Sequence, residues 1–192
     1  MPIAGGIATC ALLRQFASVI ARSGHWRYGV VISEILVVCV GNICRSPVAA
    51  ALLSDALGAD STVIVSSAGI GALVGYPAVE HSLDLMRESG LDISRHSARQ
   101  LNRELTCSAD LILLMEAEFK TAVTAVDPTA RSKTFRLREW RDGDVPDPYQ
   151  QPRKAFEEAL ALIREGVSDW VPRIQKYDDR WQMGEQKLKR LA

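Results

Sequence analysis

ILVVCVGNICRSP (Ile35–Pro47) runs a β-rich apolar stretch into a cysteine, breaks it with Gly41-Asn42, and places Arg45 six residues after Cys39. The run ILVVCV, 35–40, suits a strand covered on both faces. SPVAAALLSDAL, 46–57, is rich in Ala and Leu, and Pro47 falls where a first helical turn tolerates it. The residues between must turn sharply. Gly41 accepts positive φ at no steric cost, and Asn42 tolerates the left-handed region better than most residues.

Outward from this unit the chain keeps alternating strand and helix signals. TVIVSSAG, 62–69, predicts a second strand. Pro77 to Ser89 reads as a helix stopped by Gly90. ADLILLM, 109–115, predicts a third strand, EAEFKTAVTAV, 116–126, a helix, and KTFRL, 133–137, a short fourth strand. REWRDGDVPDPYQQP, 138–152, holds Gly and three prolines and predicts a loop. RKAFEEALALIREGVSDWV, 153–171, has helical periodicity. Such alternation predicts an α/β fold: a single doubly wound domain with a four-stranded parallel sheet flanked by helices. Ligands of these sheets bind beyond the carboxyl ends of the strands, which is where Cys39 falls.

Composition narrows the function classes. The 192-residue chain has formal net charge +0, which argues against nucleic acid as a partner. The charge is uneven. Residues 1–33 carry three arginines and no acid, residues 34–172 are net −6, and residues 173–192 are net +3. We therefore expect a domain over 34–172, an N-terminal extension over 1–33 and a helical or flexible tail over 173–192. The first segment resembles a transit peptide weakly and reads more simply as an extension the fold does not need. No apolar run approaches the ~20 residues of a membrane span, so no stable membrane insertion is expected. Cys10, Cys39, Cys44 and Cys107 form neither a disulfide framework nor a zinc pattern. A reducing, cytoplasmic setting fits them.

The turn after Cys39 has a chemical reading. Consecutive amides of Val40, Gly41, Asn42, Ile43 and Cys44 can form a nest for an anion, and the following helix adds its N-terminal dipole. Arg45 adds a planar, permanently charged fork suited to phosphate oxygens. Cys39 then lies on the floor of an electropositive cup, the surroundings in which a thiol gives up its proton. A thiolate there can attack phosphorus, and Ser46 can stabilise the sulfur as leaving group. The bland reading, a buried cysteine acting as a small hydrophobe, does not explain Cys, Gly-Asn and Arg at this spacing. No metal or cofactor is called for, since the arginine and amides supply the positive field. His81 and His96 have no metal-ligand spacing around them and read as structural or exposed. An acid for the leaving group could come from Asp142, Asp144 or Asp147, and the residues alone do not choose.

CVGNICRSP resembles the signature of the low-molecular-weight protein tyrosine phosphatases, a cysteine followed by five residues and arginine. SSAGIGALVG (66–75), HSARQL (96–101), ADLILLM and DPY (147–149) resemble further segments of that family, over roughly 34–172. The combination is most similar to the bacterial exopolysaccharide-associated branch. The resemblance implies that Cys39, Arg45 and Asp147 are catalytic, with Asp147 protonating the leaving phenolate. It implies that residues 40–44, Ser46 and Tyr149 bind substrate, and that Cys44 forms a protective disulfide with Cys39. It also implies a tyrosine-phosphorylated protein as partner, a bacterial tyrosine kinase that controls polysaccharide synthesis or export. Three competitors stand beside this reading. Protein arginine phosphatases share the scaffold but carry threonine where this chain has Ile43. Arsenate reductase needs a downstream cysteine pair, and only Cys107 lies there. A non-catalytic phosphotyrosine-binding module would not need Cys39, Arg45, Ser46 and Asp147 together.

Overall fold

The computed structural model describes residues 32–189, with side chains as far as residue 176. Cys10 and most of the expected N-terminal extension lie outside the described residues, as do the side chains of most of the expected tail. The apolar run forms β1 (Glu34–Cys39), in which Ile35 to Cys39 are at most 2% exposed. It pairs in parallel with β2 (Ile64–Gly69) on one side and β3 (Leu111–Leu114) on the other, and β4 (Thr134–Arg136) follows β3. The order is β2-β1-β3-β4. Covered on both faces, β1 and β3 have no polar side to alternate with, which is why their sequences are unbroken hydrophobic runs.

Helices cover the sheet. α1 (Arg45–Leu57) buries Val48, Ala49, Leu52, Leu53 and Leu57, one stripe at helical spacing, against β1 and β2. α2 (Glu80–Glu88), α3 (Arg103–Ser108) and α4 (Phe119–Val126) follow, and a 3₁₀ turn, Pro128–Lys133, leads into β4. α5 (Arg153–Lys189) packs on α1 and buries Phe156, Ala159, Ile163, Val167, Trp170 and Ile174. Fully burying one such aliphatic or aromatic side chain contributes about 1.5–3 kcal/mol. Gly166 lets α5 approach the strand end closely, because a Cβ there would meet the Leu137 carbonyl at 2.7 Å. No helix of the described residues is long and apolar enough to cross a membrane.

Two helix starts differ from expectation for a tertiary reason, one short helix was not expected, and the last helix runs past 171 to Lys189. α2 begins at Glu80 rather than Pro77, because the preceding residues are pulled out straight. Gly75 N–H donates to Ala98, Ala98 N–H to Tyr76, and Val79 N–H to Ile43. α4 begins at Phe119 rather than Glu116, whose side chain turns back to Arg45. α3 was not expected; six residues show no periodicity, and its start is set by the Asn102 side chain accepting from Leu105 N–H at 2.9 Å.

The strand order positions the site. From β1 the chain passes to β2 on one side and later to β3 on the other, so the crevice at the reversal opens at the end of β1. The loop 40–44 sits there, walled by the segments that follow β2, β3 and β4.

Candidate active site

The loop after β1 is held by its carbonyls. Cys39 O accepts from Ile70 N–H, Val40 O from Gly71 N–H, Gly41 O from Leu73 N–H and Ile43 O from Val79 N–H, at 2.9–3.1 Å. Asn42 O lies 2.6 Å from His96 Nε2. A carbonyl can only accept, so Nε2 carries the proton. In a peptide unit the N–H points opposite the C=O. Five successive carbonyls tied to the walls therefore turn the amides of residues 40–44 toward the interior of the loop. Asn42 N–H reaches Cys39 Sγ at 3.3 Å, and Ser46 Oγ lies 2.9 Å from the same sulfur.

Asn42 is the keystone of this turn. Its φ of 57° is left-handed, and the residue is fully buried. Nδ2 donates to Ser46 Oγ and Ser67 Oγ, both at 2.9 Å, and Oδ1 accepts from Arg99 N–H at 2.9 Å. Arg99 Nε donates in turn to Ser67 O at 2.8 Å. These bonds satisfy a buried amide completely and offset the cost of the left-handed backbone. Gly69 completes the wall, since a Cβ there would meet Val40 O at 2.3 Å.

Arg45 opens α1 and is 2% exposed. Its Nη1 donates to the Glu116 carboxylate and, at 2.8 Å, to Val145 O. Its Nη2 meets Asp147 Oδ2 at 2.9 Å. Phe119 lies under the guanidinium, 5.9 Å from its carbon to the ring centroid. Among the described residues, Arg45 Nε is buried without a hydrogen-bond partner. Nε and Nη2 form one edge of the guanidinium, a geometry that can take an oxyanion bidentately. Asp147 sits between two prolines, half-exposed, and its Oδ1 accepts from Tyr149 N–H at 3.2 Å.

The structure thus brings Cys39, residues 40–44, Arg45, Ser46 and Asp147 together. Val40 (37% exposed), Tyr149 (44%) and Leu73 (39%), whose N–H donates to Gly41 O, are exposed. Ile43 and Cys44 turn inward onto Leu85, Ala98 and Phe156. Burial pushes the Cys44 thiol up to about 12, nearby Asp147 and Cys39 add to the rise, and Arg45 opposes it. Cys39 and Cys44 are both unbridged and buried. Sequence reasoning missed Ser67, Arg99 and Glu116, and it gave His96 no task. Glu116 alone had a visible signal, a charged residue just past the end of a buried strand.

Sequence and structural relatives of the chain fall in one family. The description of the low molecular weight phosphotyrosine protein phosphatases matches residues 34–180. A probable low molecular weight protein-tyrosine-phosphatase, EpsP of Ralstonia solanacearum, is 51% identical over 144 residues, covering 75% of this chain and 97% of that protein. Wzb of Vibrio vulnificus, solved with benzylphosphonate, superimposes with a TM-score of 0.70 at 39% identity, over 74% of this chain and 99% of that one. A YwlE arginine phosphatase variant, with serine replacing a cysteine and a phosphorylated active site serine, superimposes with a TM-score of 0.70 at 29% identity. It covers 74% of this chain and 96% of that one.

Proposed function

The chain belongs to the low molecular weight phosphotyrosine protein phosphatase family, and from that membership we propose that it hydrolyses phosphotyrosine in proteins through a cysteinyl-phosphate. The observation that carries the mechanism is the loop itself: the carbonyls of residues 39–43 are tied to the walls, Asn42 N–H reaches Cys39 Sγ, and, among the described residues, Arg45 Nε is buried without a partner. Phosphate oxygens bind these donors. Cys39 Sγ attacks phosphorus in line, the bond from phosphorus to the tyrosine oxygen breaks, and Asp147 gives that oxygen its proton. Water then attacks the cysteinyl-phosphate, Asp147 takes a proton back, and sulfur leaves as thiolate beside Ser46 Oγ and Asn42 N–H. The phosphorylated serine that replaces cysteine in a solved relative supports the same position for the nucleophile here.

The exposed apolar side chains of Val40, Leu73 and Tyr149 suit an aryl group. The benzylphosphonate complex of a relative supports that class of ligand. By kinship with EpsP and Wzb, we assign the physiological substrate to a tyrosine-phosphorylated bacterial kinase of the exopolysaccharide machinery, met in the cytoplasm. Residues 34–172 form the catalytic unit in this reading, with 1–33 and 173–192 as appendages. Cys44 is the partner with which an oxidised Cys39 closes a reversible disulfide.

The test is hydrolysis of a phosphotyrosine peptide and a phosphoarginine peptide side by side, without added metal, with Cys39→Ser as control. Phosphotyrosine release that vanishes in the variant supports the reading. Faster phosphoarginine release would keep the chemistry and move this chain to the specificity of the arginine phosphatase relative. Binding of phosphotyrosine without turnover would make the chain a recognition module.

A further inference from the structure

Asp144 lies three residues before Asp147 and touches neither Cys39 nor Arg45, yet it closes a ring around the arginine. Arg45 Nη1 has two acceptors, the Glu116 carboxylate and the Val145 carbonyl. The chain neighbours of these two residues, Ala117 and Asp144, are bonded to each other: Ala117 N–H donates to Asp144 Oδ2 at 3.1 Å. The other oxygen, Oδ1, faces Arg136 Nη1 at 3.4 Å, at the end of β4. Val145 N–H donates to Met115 O at 2.9 Å, one residue before Glu116.

The loop after β4 is tied on its outer side to α5, through Arg138 to Glu165, Arg141 to Asp169 and Trp140 against Trp170. None of these contacts reaches the sheet, and Gly143 then turns the chain at φ 73°. Asp144 is where that loop returns to the sheet. Beyond it, Pro146 and Pro148 restrict φ on both sides of Asp147. Fixing Asp144 and Val145 therefore sets where the Asp147 carboxylate points relative to Arg45.

We propose that Asp144 is a positioning residue for the acid–base step, acting through the Ala117 and Arg136 contacts to hold Asp147 over the cup. This rests on the phosphatase reading above. The charge and both oxygens are used, so the role belongs to the carboxylate rather than to the polarity of the loop. Proton transfer is steeply sensitive to such placement, since displacing a reacting group by about 1 Å can cost about 10²-fold. Phosphate binding depends on loop amides held by other walls and is expected to change little.

The experiment compares the full chain with Asp144→Ala, Asp144→Asn and Arg136→Ala on two aryl phosphates, one with a poor phenol leaving group and one with a good nitrophenol. Thermal melting is recorded for each variant. For Asp144→Ala we expect kcat to fall about tenfold on the phenol ester and about twofold on the nitrophenol ester, with inhibition by inorganic phosphate unchanged. Asparagine retains one acceptor for Ala117 N–H and is expected to recover part of the phenol rate. Arg136→Ala is expected to show the same leaving-group bias, more weakly. Equal losses on both esters in folded Asp144→Ala, or no loss, would overturn the inference while leaving the phosphatase reading intact. Inactivity of the unsubstituted chain on both esters would overturn that reading and this inference with it.

Discussion

Arg45 Nη2 and Asp147 Oδ2 stand 2.9 Å apart, pairing the guanidinium proposed to bind phosphate with the proposed acid. A phosphate dianion needs that same edge of the arginine. Asp147 must give up its partner as substrate arrives, and the departing phenolate oxygen then offers it a proton acceptor. The pair sets binding and protonation in competition, and their balance can be measured.

Replacing Asp147 with Asn removes the acid and frees Nη2. We expect kcat on phosphotyrosine to fall about 10²-fold or more, with a smaller loss on nitrophenyl phosphate, which needs no proton. Inhibition by inorganic phosphate is expected to tighten, because the anion no longer displaces a charged partner. A leaving-group series with phosphate inhibition constants checks both. Equal losses across the series would remove Asp147 from the acid role.

Asn42→Ala deletes the side-chain bonds to Ser46, Ser67 and Arg99 and leaves alanine at a left-handed φ. The left-handed backbone and the stranded buried groups together predict a loss of about 2–4 kcal/mol in urea unfolding. Activity is expected to drop in the folded variant, because amides 40–44 lose their common aim. Wild-type kcat in Asn42→Ala would show that the loop holds its shape without this side chain.

Gly69→Ala puts a Cβ 2.3 Å from Val40 O, whereas Gly71→Ala meets nothing within 4 Å. Gly69 cannot retreat, since its N–H donates to Arg99 and its carbonyl accepts from Leu101 N–H. We expect the first variant to lose about 1–3 kcal/mol and most of its activity, and the second to behave as wild type. Thermal melts and kcat/KM for the two alanines decide it.

Cys44 carries a pH signature. Its thiol is pushed up to about 12 in the fold, against an ordinary value of 9.0. Above pH 9 the unfolded chain releases this proton and the native chain keeps it, so the native state binds more protons and stability falls as pH rises toward 12. Urea unfolding between pH 8 and pH 11 is expected to show a shallower decline for Cys44→Ala than for wild type. Parallel declines would show that the cysteine does not contribute.

The sequence was most informative where one short segment contains both cause and effect. ILVVCV, the Gly41-Asn42 turn and the helix from Arg45 follow one another directly, so periodicity and turn chemistry made the strand, the loop and the placement of Cys39 legible. Helix starts were less legible, because α2 and α4 begin where Val79 and Glu116 are claimed by distant partners. Asp142, Asp144 and Asp147 look alike in the chain and differ in the fold. Asp142 is exposed, Asp144 bonds Ala117, and Asp147 meets Arg45.

What the sequence by itself determined is the local unit: a buried parallel strand, a sharp left-handed turn and a helix that begins with arginine. Steric limits on φ and the two-sided burial of β1 act over a few residues and need no knowledge of the rest. What only the tertiary structure decided is where the loop points its amides and what holds the arginine. Those depend on Ser67, His96, Arg99, Glu116 and Val145, and Val145 is 100 residues from Arg45. Hydrogen bonds across such separations follow from strand order and register, which bring the ends of β1, β2 and β3 to one edge of the sheet.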